Sequence, residues 1–198
     1  MVTPYGKRIT EVQKIVEDYD FGSVIFFANN IKETEQSFDL TMDLQKAATK
    51  DNGIPLLITT DQEGGIVYRL GSGTALPGNM ALGATGDVNN AKIAGEIIGS
   101  ELSSLGINTT LAPVVDVNNN ANNPVIGLRS YGEDAEMVGK MASAEIEGLA
   151  EYNVIGCAKH FPGHGDTATD SHYGLPMVDK SKEELLNNEL KPYQVAIN

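Results

Sequence analysis

The segment KHFPGHGDTATDSH, residues 159–172, concentrates the side chains of this chain that could perform chemistry. It contains all three histidines of the chain, a lysine and two aspartates: Lys159, His160, His164, Asp166, Asp170 and His172. Imidazole and carboxylate groups are common acids, bases and metal ligands in proteins. One histidine alone is often structural, but three in one loop favour a functional site.

A metal site is the first interpretation of this loop. His160 and His164 are four residues apart, as in helical zinc motifs. However, Pro162, Gly163 and Gly165 disfavour a helix, so this spacing does not place both rings on one helix face. The chain also lacks a cysteine pair and an HExxH motif. We therefore expect no metal ion and no other cofactor, with a metal-dependent hydrolase as the alternative that bound zinc would reveal.

Acid–base chemistry is the second interpretation. Asp170 and His172 are two residues apart, and in an extended segment they project to the same side. A carboxylate in that position holds the imidazole in one tautomer and stabilises its protonated form. Such a pair can donate a proton to a leaving group near neutral pH. Glycines on either side would let the loop bend.

Composition narrows the class of partner. The net charge of −13 leaves no basic surface for nucleic acid and none for an anionic membrane. No apolar stretch approaches the length of a membrane span, and MVTPYGKRITEV lacks the apolar core of a signal peptide. The only cysteine, Cys157, lies in the apolar run VIGCAKHF, where we expect a buried, inert thiol. The sequence does not decide between cytoplasm and secretion.

Helical and strand patterns alternate along the chain. Helical spacing of apolar residues is found around residues 9–16, 40–48, 93–105 and 137–148, and apolar strand-like runs cover 22–28, 55–61, 108–117 and 154–161. Ser181 and Glu184 form a capping box that opens a last helix. Apolar strands separated by helices indicate an α/β fold with a parallel sheet covered on both faces.

Each of the four predicted strands ends in polar residues. Asn29 and Asn30 follow the first, Asp61 to Glu63 the second, Asp116 and Asn118 the third, and Lys159 with His160 the fourth. In parallel α/β folds the carboxyl ends of the strands carry the site. We therefore expect these polar groups to converge at one edge of the sheet.

The loop KHFPGHGDTATDSHYGLP, residues 159–176, resembles the signature of glycoside hydrolase family 3, in its β-N-acetylglucosaminidase branch. GSVIFFANNI, LLITTDQEGGIVYRL, LAPVVDVN and VIGLRSYGED agree in order and spacing, so the resemblance covers nearly the whole chain. DQEGG alone would be weak, whereas the loop motif is long and specific. The β-glucosidases of the family lack the Asp-x-His loop, which favours N-acetylhexosamine substrates.

The resemblance implies a TIM-like (β/α)8 barrel and hydrolysis of terminal β-linked N-acetylglucosamine with retention of configuration. It implies that His172 is the general acid/base and Asp170 its partner. It further implies that Asp61 binds sugar hydroxyls and that Arg69, Arg129, Lys159 and His160 line the sugar pocket. Two of these residues have a purely structural alternative. Arg129 could pair with Glu133 or Asp134, and Arg69 could lie at the surface. Glu63 is expected to be supporting rather than catalytic.

The resemblance also predicts that part of the barrel is missing. A full barrel needs about 250 residues, and this chain has about four to five βα units. The family's nucleophile is an aspartate on a late strand, and none is assignable here. We therefore expect residues 1–198 to be one barrel domain truncated at both ends, and the fragment alone to be inactive. A homo-oligomer would cover the open barrel.

Three other functions stay open beside a glycosidase acting on cell-wall or chitin-derived sugars, with a role in peptidoglycan recycling. One is an N-acetylsugar-binding module without catalysis. The second is the metal-dependent hydrolase already named. The third is phosphorolysis of N-acetylglucosaminides, because a histidine acid/base does not repel phosphate as a carboxylate would.

Overall fold

A computed structural model describes residues 9–19, 21–50, 53–169 and 172–197. Its sheet has four strands, all parallel and adjacent in chain order. They are β1 (Ser23–Phe26), β2 (Leu57–Thr60), β3 (Thr109–Thr110) and β4 (Ile155–Gly156). Helices connect the successive strands, which is the βα alternation of a barrel. The predicted α/β class with a parallel sheet is confirmed.

Seven α-helices and one short 3₁₀ helix lie within the described residues. They are α1 (Ile9–Tyr19), α2 (Thr34–Ala48), α3 (Asn79–Ala84), α4 (Val88–Ser104), the 3₁₀ helix (Gly127–Arg129), α5 (Ala135–Ala150), α6 (Lys182–Asn187) and α7 (Lys191–Ile197). The four helices predicted from apolar spacing are α1, α2, α4 and α5. The predicted capping box opens α6: Ser181 N–H donates to the Glu184 carboxylate at 2.8 Å, and Glu184 N–H donates to Ser181 Oγ at 3.3 Å.

The third and fourth strands are much shorter than predicted. Pro113 lacks an N–H and interrupts the regular ladder after β3. Backbone pairing nevertheless continues beyond it, because Val115 N–H donates to Lys159 O at 2.7 Å and Lys159 N–H donates to Pro113 O at 3.1 Å. The chain after β3 and the chain after β4 therefore stay side by side up to Asp116 and His160.

Two hydrophobic clusters hold this sheet and its helices. The first includes Phe26 and Ile58 of the sheet with Leu102 of α4. The second lies between α4 and α5 and includes Met141 and the ring of Tyr131. These helices pack closely through glycine: a Cβ added at Gly95 would lie 2.2 Å from the backbone oxygen of Glu145. Any side chain there would force the two helices apart.

Cys157 corrects one prediction, because its side chain is exposed rather than buried. It follows β4, which pairs with β3 on one side only among the described strands. Ile155 of β4 is exposed for the same reason. An apolar run therefore did not identify a buried strand here. No helix among the described residues is long and apolar enough to cross a membrane.

Candidate active site

Polar residues from three strand ends meet at the carboxyl edge of the sheet. Asp61 and Glu63 follow β2, Asp116 follows the extension of β3, and Lys159 and His160 follow β4. Arg129 joins them from the 3₁₀ helix. We call these six residues the basal cluster.

Glu63 holds the two cations of the basal cluster. Its carboxylate accepts two hydrogen bonds from Arg129, from Nε at 2.8 Å and Nη2 at 2.9 Å, and pairs with Lys159 Nζ at 2.5 Å. The Glu63 side chain is only 3% exposed, so these bonds are shielded from water. Burial alone lowers the pKa of Arg129, but the bonds and charge of Glu63 outweigh it and raise that pKa. The expected supporting role of Glu63 matches this position, and Arg129 does not need Glu133 or Asp134.

Asp61 lies beside Glu63 and faces cations on both of its oxygens. Lys159 Nζ is 2.8 Å from Oδ1, and Arg69 Nη2 is 3.5 Å from Oδ2. Arg69 is fixed through its backbone, since its N–H donates to Gln62 Oε1 at 2.8 Å. Asp61 keeps some solvent access, whereas Glu63 has almost none. A carboxylate with such access can accept hydrogen bonds from a ligand's hydroxyls.

Asp116 orients His160. Its carboxylate lies 2.6 Å from His160 Nδ1 and also accepts the His160 N–H at 3.3 Å. On the other side of the ring, Arg129 Nη2 lies 3.3 Å from Nε2. A guanidinium only donates, so Nε2 must accept and Nδ1 must carry the ring proton. This arrangement directs Nε2 toward Arg129 and Nδ1 toward Asp116.

The same aspartate shapes the first turn of the histidine loop. His164 N–H donates to Asp116 Oδ1 at 2.7 Å. The ring of His164 is buried, with Nδ1 2.5 Å from Thr167 Oγ1. Gly165 lies so close to the strand extension that a Cβ there would be 1.7 Å from Val117 O. His164 therefore shapes the loop within the described contacts.

The asparagine-rich run after β3 holds the histidine loop through hydrogen bonds to its backbone. Asn123 Nδ2 donates to His164 O at 2.7 Å and to Gly165 O at 3.2 Å. Asn123 Oδ1 in turn accepts N–H groups of Val125 and Ile126, at 2.9 and 2.7 Å. One amide thus joins the histidine loop to the approach of the 3₁₀ helix that carries Arg129.

Residues 167–179, which we call the distal segment, contain the predicted acid/base. His172 is exposed and lies in a turn. Asp170, its predicted partner, lies outside the described residues, as does Ser171. The Asp170–His172 pair therefore stays a prediction, whereas the five predicted sugar-pocket residues lie together: Asp61, Arg69, Arg129, Lys159 and His160.

Two groups of residues in the site were missed by sequence reasoning. Asp116 was recognised only as a polar strand end, yet it organises His160 and His164. Its signal was its position at the end of the third predicted strand, as Lys159 and His160 stand at the end of the fourth. The run 118–123 was interpreted simply as a loop, although Asn119, Asn120 and Asn123 all bond to the histidine loop or its neighbours.

A buried acid lies behind the basal cluster. Glu145 of α5 is 1% exposed and accepts a hydrogen bond from the hydroxyl of Tyr131, two residues beyond Arg129. Burial raises the pKa of Glu145 to about 7, although the Tyr131 bond opposes the rise. Burial and the neighbouring carboxylate raise the pKa of Tyr131 as well. Glu145 is therefore mostly protonated below neutral pH.

Metal ligands do not gather in the described part of the chain. No group of three His, Cys, Asp or Glu side chains there is placed to hold an ion. Both ring nitrogens of His160 already face protein groups, Asp116 and Arg129. The polar groups of the basal cluster instead offer hydrogen bonds and charge to an uncharged polar ligand.

Comparison with known families decides the class of this protein. A model described as the glycosyl hydrolase family 3 N terminal domain matches residues 1–198. The chain belongs to glycoside hydrolase family 3. The resemblance found in the histidine loop is thereby confirmed.

Individual relatives agree with this assignment. The chain is 44% identical over 194 residues to beta-hexosaminidase A of Pseudoalteromonas piscicida, covering 94% of this chain and 32% of the relative. A family 3 beta-N-acetylglucosaminidase of Paenibacillus sp. str. FPU-7 superimposes with a TM-score of 0.95 at 45% identity, covering 100% of this chain and 38% of the other. NagZ of Neisseria gonorrhoeae, solved with N-trifluoroacetyl-D-glucosamine, gives a TM-score of 0.90 at 34% identity, covering 98% and 59%. The chain thus spans 32% to 59% of the length of these three relatives.

Proposed function

We propose that the protein containing this chain hydrolyses terminal β-linked N-acetylglucosamine and retains the anomeric configuration. Support comes from the family 3 relatives named as hexosaminidases and N-acetylglucosaminidases. The observation that carries the proposal is the basal cluster itself. It directs the cations Lys159 and Arg129 and the carboxylate of Asp61 to one partly open edge. Donors and an acceptor at fixed positions are what a sugar ring with adjacent hydroxyls requires.

In the proposed reaction the basal cluster binds and the distal segment supplies the proton. Asp61 accepts hydrogen bonds from sugar hydroxyls, while Arg69, Arg129, Lys159 and His160 orient the ring. The protonated imidazole of His172, held by Asp170, gives its proton to the glycosidic oxygen as the bond from that oxygen to the anomeric carbon breaks. As the leaving group departs, a nucleophilic carboxylate of the whole protein, not assigned in this chain, bonds to the anomeric carbon. The neutral imidazole then takes a proton from the water that attacks the anomeric carbon and displaces this carboxylate. This pair replaces the second carboxylate of most retaining glycosidases.

The enzyme assay uses an aryl β-N-acetylglucosaminide and follows release of nitrophenol. It is run on the purified chain and on the full product of its gene, each beside His172→Ala. We expect activity in the full product and a fall of about 10²–10⁴ in His172→Ala, the usual worth of general acid–base catalysis. Equal rates for the two full-length proteins would contradict the role of His172. An aryl β-glucoside is the substrate control and is expected to react far more slowly.

We further propose that residues 1–198 form one barrel-type domain that binds N-acetylglucosamine without turning it over. The coverage of the relatives favours this second function for the isolated chain. Calorimetric titration with N-acetylglucosamine, beside Asp61→Ala, tests it. Binding that survives Asp61→Ala would contradict the proposed sugar site. Sugar-1-phosphate formed only when phosphate is added would instead indicate phosphorolysis.

We also propose that the isolated chain self-associates. Leu57 and Ile155 of the sheet are about half exposed, at 46% and 55%. Apolar strand residues and unpaired strand edges favour association with another chain. Light scattering across a range of protein concentrations tests this, and a monomer throughout would contradict it.

A further inference from the structure

Lys180, at the far end of the distal segment, bonds to two carboxylates from different parts of the chain. Its Nζ lies 2.7 Å from Asp166 Oδ2 and also bonds to Glu189 Oε1. Lys180 immediately precedes Ser181, the first residue of the capping box of α6, so its backbone position is fixed. The three side chains form an ion-pair group that we call the clamp.

Asp166 connects the clamp to the histidine loop. Its backbone oxygen accepts a hydrogen bond from Asn120 Nδ2 at 3.2 Å. The preceding residue, Gly165, rests directly against Val117 O, as described above. Asp166 therefore lies where the histidine loop, packed against the chain after β3, continues into the distal segment.

Glu189 connects the clamp to Asn119, after β3, and to Gly163 of the histidine loop. Its side chain is 2% exposed and accepts hydrogen bonds from Asn119 Nδ2 at 3.0 Å and Asn188 Nδ2 at 3.1 Å. Its aliphatic part packs on Gly163, where an added Cβ would lie 2.7 Å from Glu189 Cβ. Lys180 supplies the positive charge that this buried carboxylate requires.

The burial of Glu189 decides how much the clamp matters. A pair between Lys180 and Asp166 alone, both partly exposed, would contribute little. Removing Lys180, however, would leave a buried carboxylate facing a second one, Asp166, with no cation bonded to either among the described contacts. Burial lowers the pKa of Lys180, yet its bonds to Asp166 and Glu189 outweigh that effect and raise the pKa, so the charge is retained.

We propose that Lys180 is a positioning residue: its ion pairs with Asp166 and Glu189 join both ends of the distal segment and thereby hold His172 over the basal cluster. Joining the ends of a segment removes much of its conformational freedom. The inference rests on the proposed role of His172 as acid/base. Nothing in the sequence patterns pointed to Lys180.

A positioning role has a signature that general structural damage lacks. Proton donation is required most when the leaving group is poor, such as an alkyl alcohol or a second sugar. It is required least when the leaving group is a stable phenolate such as dinitrophenolate. A variant that misplaces the acid therefore loses activity on the first substrate and keeps it on the second. A variant that is merely less folded loses both in equal proportion.

The experiment compares kcat/KM on these two classes of β-N-acetylglucosaminide in the full gene product. Lys180→Met is expected to fall about 10- to 100-fold with the alkyl or disaccharide substrate and about threefold or less with the dinitrophenyl one. Lys180→Arg restores the charge and is expected to recover most of the loss. Lys182→Met, which removes an exposed lysine two residues away, is the matched control and is expected to match the wild type.

Each result separates the inference from the proposed function. His172→Ala run in parallel must show the leaving-group dependence; if it does not, the acid/base role of His172 fails. If His172→Ala shows it and Lys180→Met loses both substrates equally, or neither, the clamp does not position His172. Thermal unfolding of Lys180→Met, measured beside Lys182→Met, shows whether an equal loss reflects unfolding.

Discussion

The basal cluster and the distal segment present two opposite designs within one site. In the basal cluster every described charge faces a partner of opposite charge or a hydrogen-bonding group, and Glu63 and Asp116 are almost fully buried. In the distal segment His172 and Tyr173 are exposed, and its ends are joined to the rest through Lys180 and Asp166. The predicted binding groups thus lie at the strand ends, whereas the proposed acid/base lies in a segment joined to the rest of the chain through Lys180 and Asp166.

This difference predicts which substitutions should lower stability and which should lower activity alone. Charges buried in the basal cluster stabilise one another, so removing one of them leaves its partners uncompensated. An exposed side chain in the distal segment has little to lose on truncation. Substitutions in the two regions should therefore be distinguished by unfolding measurements as clearly as by enzyme assays.

Glu63→Ala should have the largest effect on stability. It leaves Arg129 and Lys159 without the carboxylate they share, and we expect the free energy of unfolding to fall by about 3–5 kcal/mol. Urea denaturation measures this. His172→Ala is the paired variant from the distal segment and should stay within about 0.5 kcal/mol of the wild type. Similar losses in both variants would remove the distinction between the regions.

Asp116→Asn tests the interior of the basal cluster with a smaller change. The amide keeps one acceptor but places its N–H groups against donors, either the His160 ring or the backbone N–H groups of His160 and His164. We expect a loss of about 1–3 kcal/mol in the free energy of unfolding. Binding of N-acetylglucosamine, followed by calorimetry, should weaken as well.

Asp179→Asn provides the control for this substitution, since Asp179 is exposed and lies in the distal segment. It should change neither unfolding nor sugar binding. A binding loss as large as that of Asp116→Asn would mean that the distal segment helps to hold the sugar.

Part of the comparison was predictable from the sequence. Helices α4 and α5 follow the spacing of their apolar residues, because that face packs against the sheet and each other. Asp61, Lys159 and His160 were predicted to converge because parallel strands end at one edge. Arg69 and Arg129 were added to the pocket only by the resemblance to family 3. Strand lengths failed at Pro113, and α3 and α7 were not predicted. α7 carries Pro192 in its first turn, where proline is tolerated but reads as a helix breaker.

Other features could not be predicted because they depend on distant contacts. The prediction that Cys157 is buried was wrong, because an apolar run does not show whether a strand has neighbours on both sides. Asp116 gave no sign that three donors would converge on it, two of them from His160. Lys180 resembles any other loop lysine until Glu189 is brought beside it.

The last effect concerns how stability changes with pH, through the buried acid behind the basal cluster. The pKa of Glu145 is about 7 in the folded protein and about 4.5 when exposed. The unfolded state therefore loses its proton first as pH rises, and this group's contribution to stability is present at low pH and lost between about pH 4.5 and 7. Glu145→Gln should flatten the decline in unfolding free energy across that range.

Urea denaturation at several pH values from 4.5 to 7.5 measures this slope. Glu147→Gln changes an exposed glutamate on the same helix and should leave the slope unaltered. A variant Glu145→Gln with the wild-type slope would show that Glu145 is ionised in the folded protein.

The hydrogen bonds of the Asp116 carboxylate link formation of the site to the register of the strands during folding. The carboxylate collects hydrogen bonds from His160 and His164, which lie 44 and 48 residues further along the chain. Those bonds form only when the chain after β3 and the chain after β4 are aligned in the correct register. A shift by one residue would point Asp116 to the opposite face of the sheet. The proposed sugar binding would therefore report correct assembly, because a titration with sugar would count only molecules whose strands are aligned in this register.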